Sequence, residues 1–327
     1  MILSRECASL QIETGSSPKR RVWSHFGGRI RVAQITANGI TLEYEDYGKP
    51  GDPPILLIMG LGAQLTLWPI ELVEALVAQG FRVIRYDNRD IGLSHKFDGV
   101  KAPGILSLML LGRIGLTPRV PYTLGDMAAD AVGLLDALDI ARAHVVGASM
   151  GGIIAQHVAF TRPERVLSLT SIMSTTGNRR LPPARKEALD VLTKRPDSTD
   201  EEVLVAHGMK IARTIGSPAY PPDADRLRAN VTASIRRSYY PAGLQRQIAA
   251  ILADGDRRAR LRDVAAPTLV IHGEADPLVP LAGGQDTAAA IRGAKLQTFP
   301  GMGHDIPLDL IDPLADAIAA HVRDSQR

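Results

Sequence analysis

The stretch HVVGASMGG, residues 144–152, decides how the chain is read. A β-branched, apolar run ends in Gly147-Ala148-Ser149-Met150-Gly151, and an apolar, helix-like run follows Gly152. A short continuous apolar run of this kind reads as a strand buried on both faces. A serine in a very tight strand-to-helix turn takes a strained backbone conformation, and side chains flanking it would clash. Glycine at Gly147 and Gly151 removes those side chains. The pattern Gly-x-Ser-x-Gly between a strand and a helix is therefore a nucleophile elbow, with Ser149 as the candidate nucleophile. The first N–H of the helix, that of Met150, points at developing negative charge.

Outward from this point the chain alternates between strand and helix patterns. Upstream, RVAQITANGITLEYEDYG (31–48) holds two alternating runs around Asn38-Gly39, a hairpin signal. PPILLIMG (53–60) and FRVIRYD (81–87) read as buried strands, with helices expected at 69–79 and 123–138. Downstream come a helix at 150–161 and a strand in RVLSLTSIMS (165–174). The rhythm then stops. Residues 177–260 are charged, helix-prone and punctuated by proline, and predict four helices near 183–194, 200–214, 223–237 and 241–253. A strand in PTLVIHGEADPLVP (267–280), a helix at 282–292, a strand in KLQTFP (295–300) and a helix at 312–323 finish the chain. Alternation of this kind predicts an α/β fold, a mostly parallel sheet with helices on both faces. The expected domains are a core of 32–176 and 261–327, a helical cap of 177–260, and a disordered tail of 1–31.

Composition narrows the class. Of 327 residues, 45% are hydrophobic and 22% charged, enough for a large core without disulfides. Cys7 is the single cysteine, which points to a reducing compartment. The net charge of +3 comes from the first 31 residues, where six Lys/Arg face two Glu; a solvated basic tail, not a nucleic-acid surface, is expected. The first residues lack the apolar core of a signal peptide, and no run reaches the roughly 20 apolar residues of a membrane span. The expected location is cytoplasmic. Gly-rich segments match neither a dinucleotide fingerprint nor a phosphate loop, and no histidine pair has metal-ligand spacing. No cofactor and no metal are expected.

A serine hydroxyl is a weak nucleophile and needs a base. Asp276 lies just past a buried strand, and His304 lies in a glycine-rich loop after the last strand. The order Ser149, Asp276, His304 is that of an α/β-hydrolase triad. MGLG (59–62), YDNRDIGLS (86–94), GASMGG (147–152), HGEAD (272–276) and GMGHD (301–305) resemble the landmarks of that family over about 32–323. More narrowly, MGLGAQLTLWP followed by RYDNRDIGLS is similar to the bacterial branch that includes the aclacinomycin methylesterases. The resemblance implies an oxyanion hole from the N–H groups of Leu61 and Met150. Many relatives carry His-Gly where this chain has Met59-Gly60; the donor is a backbone N–H, so the change leaves it intact. It also implies structural roles for Asp87 and Asp90.

Other groups fit less well. Asp305 is too local to orient the His304 ring, and Glu274 is the weaker acid in its loop. His272 reads as a turn residue and His157 as packed or exposed. His25, His95, His144 and His207 lack catalytic context. The expected activity is hydrolysis of a carboxylic ester through an acyl-enzyme, with a methyl ester and a lactone as the candidate substrates. Carbon–carbon bond hydrolysis or perhydrolysis on the same fold is the alternative, and a small-molecule receptor is the non-enzymatic one. PGILSLMLLGRIGL (103–116), together with Leu65, Leu67 and Trp68, predicts an apolar wall, with Trp68, Leu106 and Met109 as substrate contacts and an apolar ester as the partner.

Overall fold

The computed structural model describes residues 21–25, 28–104, 107, 108, 110, 118–194 and 196–326. Strands β1 (Arg21–His25), β2 (Gly28–Ala37) and β3 (Ile40–Tyr47) are antiparallel. Strands β4 (Pro54–Ile58), β5 (Arg82–Tyr86), β6 (Ala143–Ala148), β7 (Val166–Ile172), β8 (Thr268–Gly273) and β9 (Lys295–Phe299) are parallel. All nine form one sheet in the order β1-β2-β3-β5-β4-β6-β7-β8-β9. Asn38 and Gly39 both take positive φ, as a two-residue hairpin turn requires.

One expectation is corrected here. The sheet begins at Arg21, inside the segment expected to be a disordered tail. Trp23 pairs with Ile30 and Arg21 with Val32 across β1 and β2. The period-2 alternation of Arg29-Ile30-Arg31-Val32 is a strand signal. The charge of the segment hid it.

The helices are α1 (Ile70–Ala78), α2 (Leu124–Ala137), α3 (Met150–Thr161), α4 (Lys186–Thr193), α5 (Glu201–Ile215), α6 (Ala224–Arg237), α7 (Pro241–Asp254), α8 (Arg258–Leu261), α9 (Leu281–Ala290) and α10 (Ile311–Asp324). The start of α2 is set by a capping box between Thr123 and Asp126. Strand alternation sorts the core into two halves. Leu56, Ile58 and Val145 face α2 and α3, while Ile55, Leu57 and Val146 face α1 and α10.

Helices α4 to α8 lie between β7 and β8 in the chain, and buried polar contacts fasten α6 and α7 to the loop after β5. Arg246 of α7 grips Asp90 with two 2.8 Å hydrogen bonds, and Arg237 of α6 reaches Asp87 at 2.7 Å. Among the described residues, no helix is long and apolar enough to cross a membrane.

Candidate active site

Ser149 stands at the carboxyl end of β6 with φ 56° and ψ −122°. Space explains the flanking glycines: a methyl on Gly147 would lie 2.1 Å from the Gly151 carbonyl oxygen, and one on Gly151 would lie 2.0 Å from that of Ile58. The strained residue is held from both sides. Its N–H donates to the Ile172 carbonyl (2.9 Å), and its own carbonyl accepts from the Ser174 hydroxyl (2.9 Å).

The three residues expected to act together are brought together. His304 Nε2 is 2.9 Å from Ser149 Oγ, and His304 Nδ1 is 2.7 Å from Asp276 Oδ2. The other oxygen of Asp276 accepts from the N–H groups of Leu278 and Val279, each at 2.8 Å. Those bonds fix the carboxylate plane and leave one oxygen for the ring. His304 is itself fixed, its N–H donating to the Ile215 carbonyl at 2.7 Å. The Gly303 N–H donates to Ser217 Oγ (2.8 Å), so the loop after α5 braces the histidine loop.

Gly60 passes so close that a methyl on it would lie 3.0 Å from Ser149 Cβ. Leu61 follows at once, and Met150 is the first residue of α3. Among the described residues, neither Leu61 nor Met150 has a hydrogen-bond acceptor for its N–H. Both N–H groups belong to segments that run beside Ser149.

Trp68 requires a correction. It is fully buried in the core half that faces α1, and its carbonyl accepts from Arg85. Leu65–Leu67 form one 3₁₀ turn, whose i and i+3 positions share a face. Leu65 and Trp68 thus point inward together, while Leu67 is exposed. Leu106 and Met109 lie outside the described residues. Of the same apolar loop, Leu108 is buried and Leu110 exposed.

The competing groups have other partners. Glu274 accepts from Thr298, and Asp305 accepts from Ser217 Oγ at 2.5 Å. Burial pushes the Asp305 carboxyl above the usual carboxylate range, even though Ser217 counters it. His272 is fully buried, Nε2 lying 2.8 Å from the Val279 carbonyl, and burial pushes its pKa down. His157 is buried on α3 with Nε2 2.7 Å from Asp254 Oδ1. Asp87 accepts from the Leu65 and Leu93 N–H groups, and Asp90 from that of Phe97. Among the described residues, no group of three or more His, Cys, Asp or Glu is placed to hold a metal ion. Ser174, Ser217 and Gln247, all near the site, were not singled out from sequence. Single polar residues in a strand end, a loop and a helix carry no motif.

A parallel sheet with a serine elbow at the end of β6 and an Asp–His pair beyond β8 and β9 defines the α/β hydrolases. Residues 53–309 match the α/β-hydrolase fold model, and the chain belongs to that family. Among curated proteins it is similar to rhodomycin D methylesterase DnrP of Streptomyces peucetius, at 34% identity over 88% of this chain and 97% of that one. A 2-hydroxy-6-oxononadienedioate/2-hydroxy-6-oxononatrienedioate hydrolase of Paraburkholderia xenovorans is 29% identical, over 81% of this chain and 84% of that one. Among solved structures, a meta-cleavage product hydrolase from Pseudomonas fluorescens superposes with a TM-score of 0.71 at 19% identity, covering 89% of this chain and 97% of that one.

Proposed function

We propose that the protein is a serine esterase that cleaves a carboxylic ester, a methyl ester of a bulky apolar acid being the favoured substrate class. One observation carries the chemistry: the unbroken hydrogen-bonded chain from Ser149 Oγ through His304 to Asp276. His304 Nε2 takes the hydroxyl proton as Ser149 Oγ bonds to the ester carbonyl carbon. Asp276 holds the ring with its Nδ1–H toward the carboxylate and stabilises the imidazolium that forms. The carbonyl oxygen becomes an oxyanion and accepts from the N–H groups of Leu61 and Met150. Collapse breaks the bond to the alkoxy group, which leaves as alcohol with the proton from His304. Water, deprotonated by His304, then attacks the acyl-enzyme and releases the acid and free Ser149.

Helices α4 to α7 act as a cap over this site in this reading, and the substrate enters beneath them. The methyl-ester preference rests on the similarity to the rhodomycin D methylesterase. The second reading, carbon–carbon bond hydrolysis, is favoured by the relative that acts on a 2-hydroxy-6-oxo dienedioate. We place the enzyme in the cytoplasm on the strength of its single cysteine.

Two measurements test the reading. A fluorophosphonate should label the protein, and Ser149→Ala should abolish labelling. Across p-nitrophenyl acetate, butyrate, hexanoate and octanoate, kcat/KM should rise about fourfold for each methylene that is buried. Equal labelling of Ser149→Ala would overturn the nucleophile. A steady fall from acetate onward would overturn the apolar pocket, and turnover of a dienedioate with none of any ester would favour the second reading.

A further inference from the structure

The loop that carries Leu61 is held from two directions. Its ends are tied to the sheet: Asn88 Nδ2 donates to the Met59 carbonyl (2.8 Å), and the Leu65 N–H donates to Asp87 Oδ1 (2.7 Å). Its middle is tied to the cap. The Gly62 N–H donates to Gln247 Oε1 of α7 at 2.9 Å. Gln64 donates to the carbonyls of Ser234 (2.7 Å) and Ser238 (3.0 Å) and accepts from Arg237 (2.6 Å).

Gln247 is fully buried, and both of its polar atoms are committed. Its Nε2 donates to the Arg89 carbonyl at 2.9 Å. Its orientation follows from chemistry, because an N–H on one side demands the oxygen and a carbonyl on the other demands the amide nitrogen. One side chain thus spans the Gly62 loop and the loop after β5. α7 also presses on the loop directly: Gly62 has φ 67°, and a methyl there would lie 2.7 Å from Leu244 Cδ1.

The peptide between Leu61 and Gly62 cannot rotate while its N–H is bound to Gln247. The preceding peptide is pinned by the close approach of Gly60 to Ser149. Between these two restraints the Leu61 N–H is the donor left without a partner among the described residues. We propose that Gln247, a cap residue, is a positioning residue for the oxyanion loop, so that the anion hole is complete only when the cap is seated. This inference rests on the serine-esterase reading and assigns the cap a share in transition-state stabilisation, beyond covering substrate.

Gln247→Met keeps the length and burial of the side chain and offers Gly62 no acceptor. A displaced oxyanion donor weakens the transition state more than the bound ester. For a turned-over ester, kcat should fall about tenfold or more with KM changed by less than about twofold, short of the 10²–10³ seen when a donor is removed outright. Affinity for phenylboronic acid, whose tetrahedral adduct on Ser149 uses the same hole, should fall by a similar factor. A merely structural glutamine would lower the melting temperature and leave both ratios alone. Should Gln247→Met fail to fold, Gln247→Asn, whose amide is one methylene short of Gly62, is read the same way. Wild-type values for kcat and boronate affinity, or a loss confined to KM, overturn the proposal. Those results leave the esterase reading standing as long as the wild type labels and turns over. A wild type that does neither fails the esterase reading itself.

Discussion

Asp276 shows how much one atom decides at this site. Its Oδ1 is occupied by two backbone N–H groups, so only Oδ2 is left to hold the imidazole. In Asp276→Asn the amide oxygen must take the Oδ1 place, since the backbone presents donors there. The NH₂ group then faces His304 Nδ1 and selects the tautomer with its proton on Nε2, which cannot accept from Ser149. The variant should fold with little change in melting temperature while kcat falls by about 10³–10⁴-fold. A loss below tenfold would move the acid elsewhere. Gly151→Ala makes a second case at this scale. Its methyl meets the Ile58 carbonyl oxygen at 2.0 Å, a backbone group that cannot step aside. Strain of this kind costs about 1–3 kcal/mol or more and should displace the elbow, so fluorophosphonate labelling should slow sharply. Unchanged labelling would show that β4 yields. That Ser149, Asp276 and His304 meet was legible in sequence, because each sits in a short motif at a strand end. The placements of Ser174 and Gln247 were not, because their contacts, Ser174 with Ser149 and Gln247 with Gly62 and Arg89, join residues remote in the chain.

Among the elements, the four helices α4 to α7 were foreseen within a few residues, since caps and prolines mark their ends, whereas the short α8 was not. Asp200 and Asp223 cap α5 and α6, and Pro241 opens α7. What holds these helices down was not legible. Asp90 and Arg246 are far apart in sequence, and the motif around Asp90 suggested only backbone partners. Burial alone would raise the Asp90 carboxyl, but hydrogen bonds from Arg246 and the Phe97 N–H outweigh it and hold the pKa below the usual value. Both side chains of the pair are nearly inaccessible. Removing one partner of such a pair strands a buried charge, at a cost of about 3–5 kcal/mol. Arg246→Met should therefore lose stability by that order in urea unfolding. Asp90 has φ 69°, which asparagine tolerates, and Asn keeps an acceptor for Phe97. The double variant Arg246→Met/Asp90→Asn should consequently be more stable than Arg246→Met alone. If the two losses simply add, the pair is not coupled and the cap is held by its other contacts.

For the whole molecule, the parallel sheet and its flanking helices followed from periodicity, because each strand buried on both faces is a continuous apolar run. The antiparallel edge at β1 did not, since a five-residue strand in which Val22 and Trp23 sit among Arg21, Ser24 and His25 has little apolar periodicity. Nor did the fate of the buried histidines, which sequence can locate but not bury. His144 on β6 is fully buried, and burial, aided by His321 and Arg142, pushes its pKa down to about 4. Burial also lowers His272 and His321. These sites sit at both ends of the sheet, so their titration acts on the fold and not on one loop. In the unfolded chain each histidine protonates near pH 6.5. Between that value and the lowered folded values, the unfolded state binds more protons, so stability must fall as pH falls. The slope is up to about 1.4 kcal/mol per pH unit for each group. The urea midpoint should accordingly be flat above about pH 7 and decline steadily from about pH 6.5 toward about pH 4. His144→Gln removes one of these groups and keeps a polar side chain near Ser168, which lies 2.8 Å from His144 Nδ1. The variant should be less stable than the wild type at pH 7.5, yet lose less on acidification, so the two curves converge. Parallel curves would mean that His144 takes up its proton equally in the folded and unfolded chains, and its burial would then have no part in the acid lability.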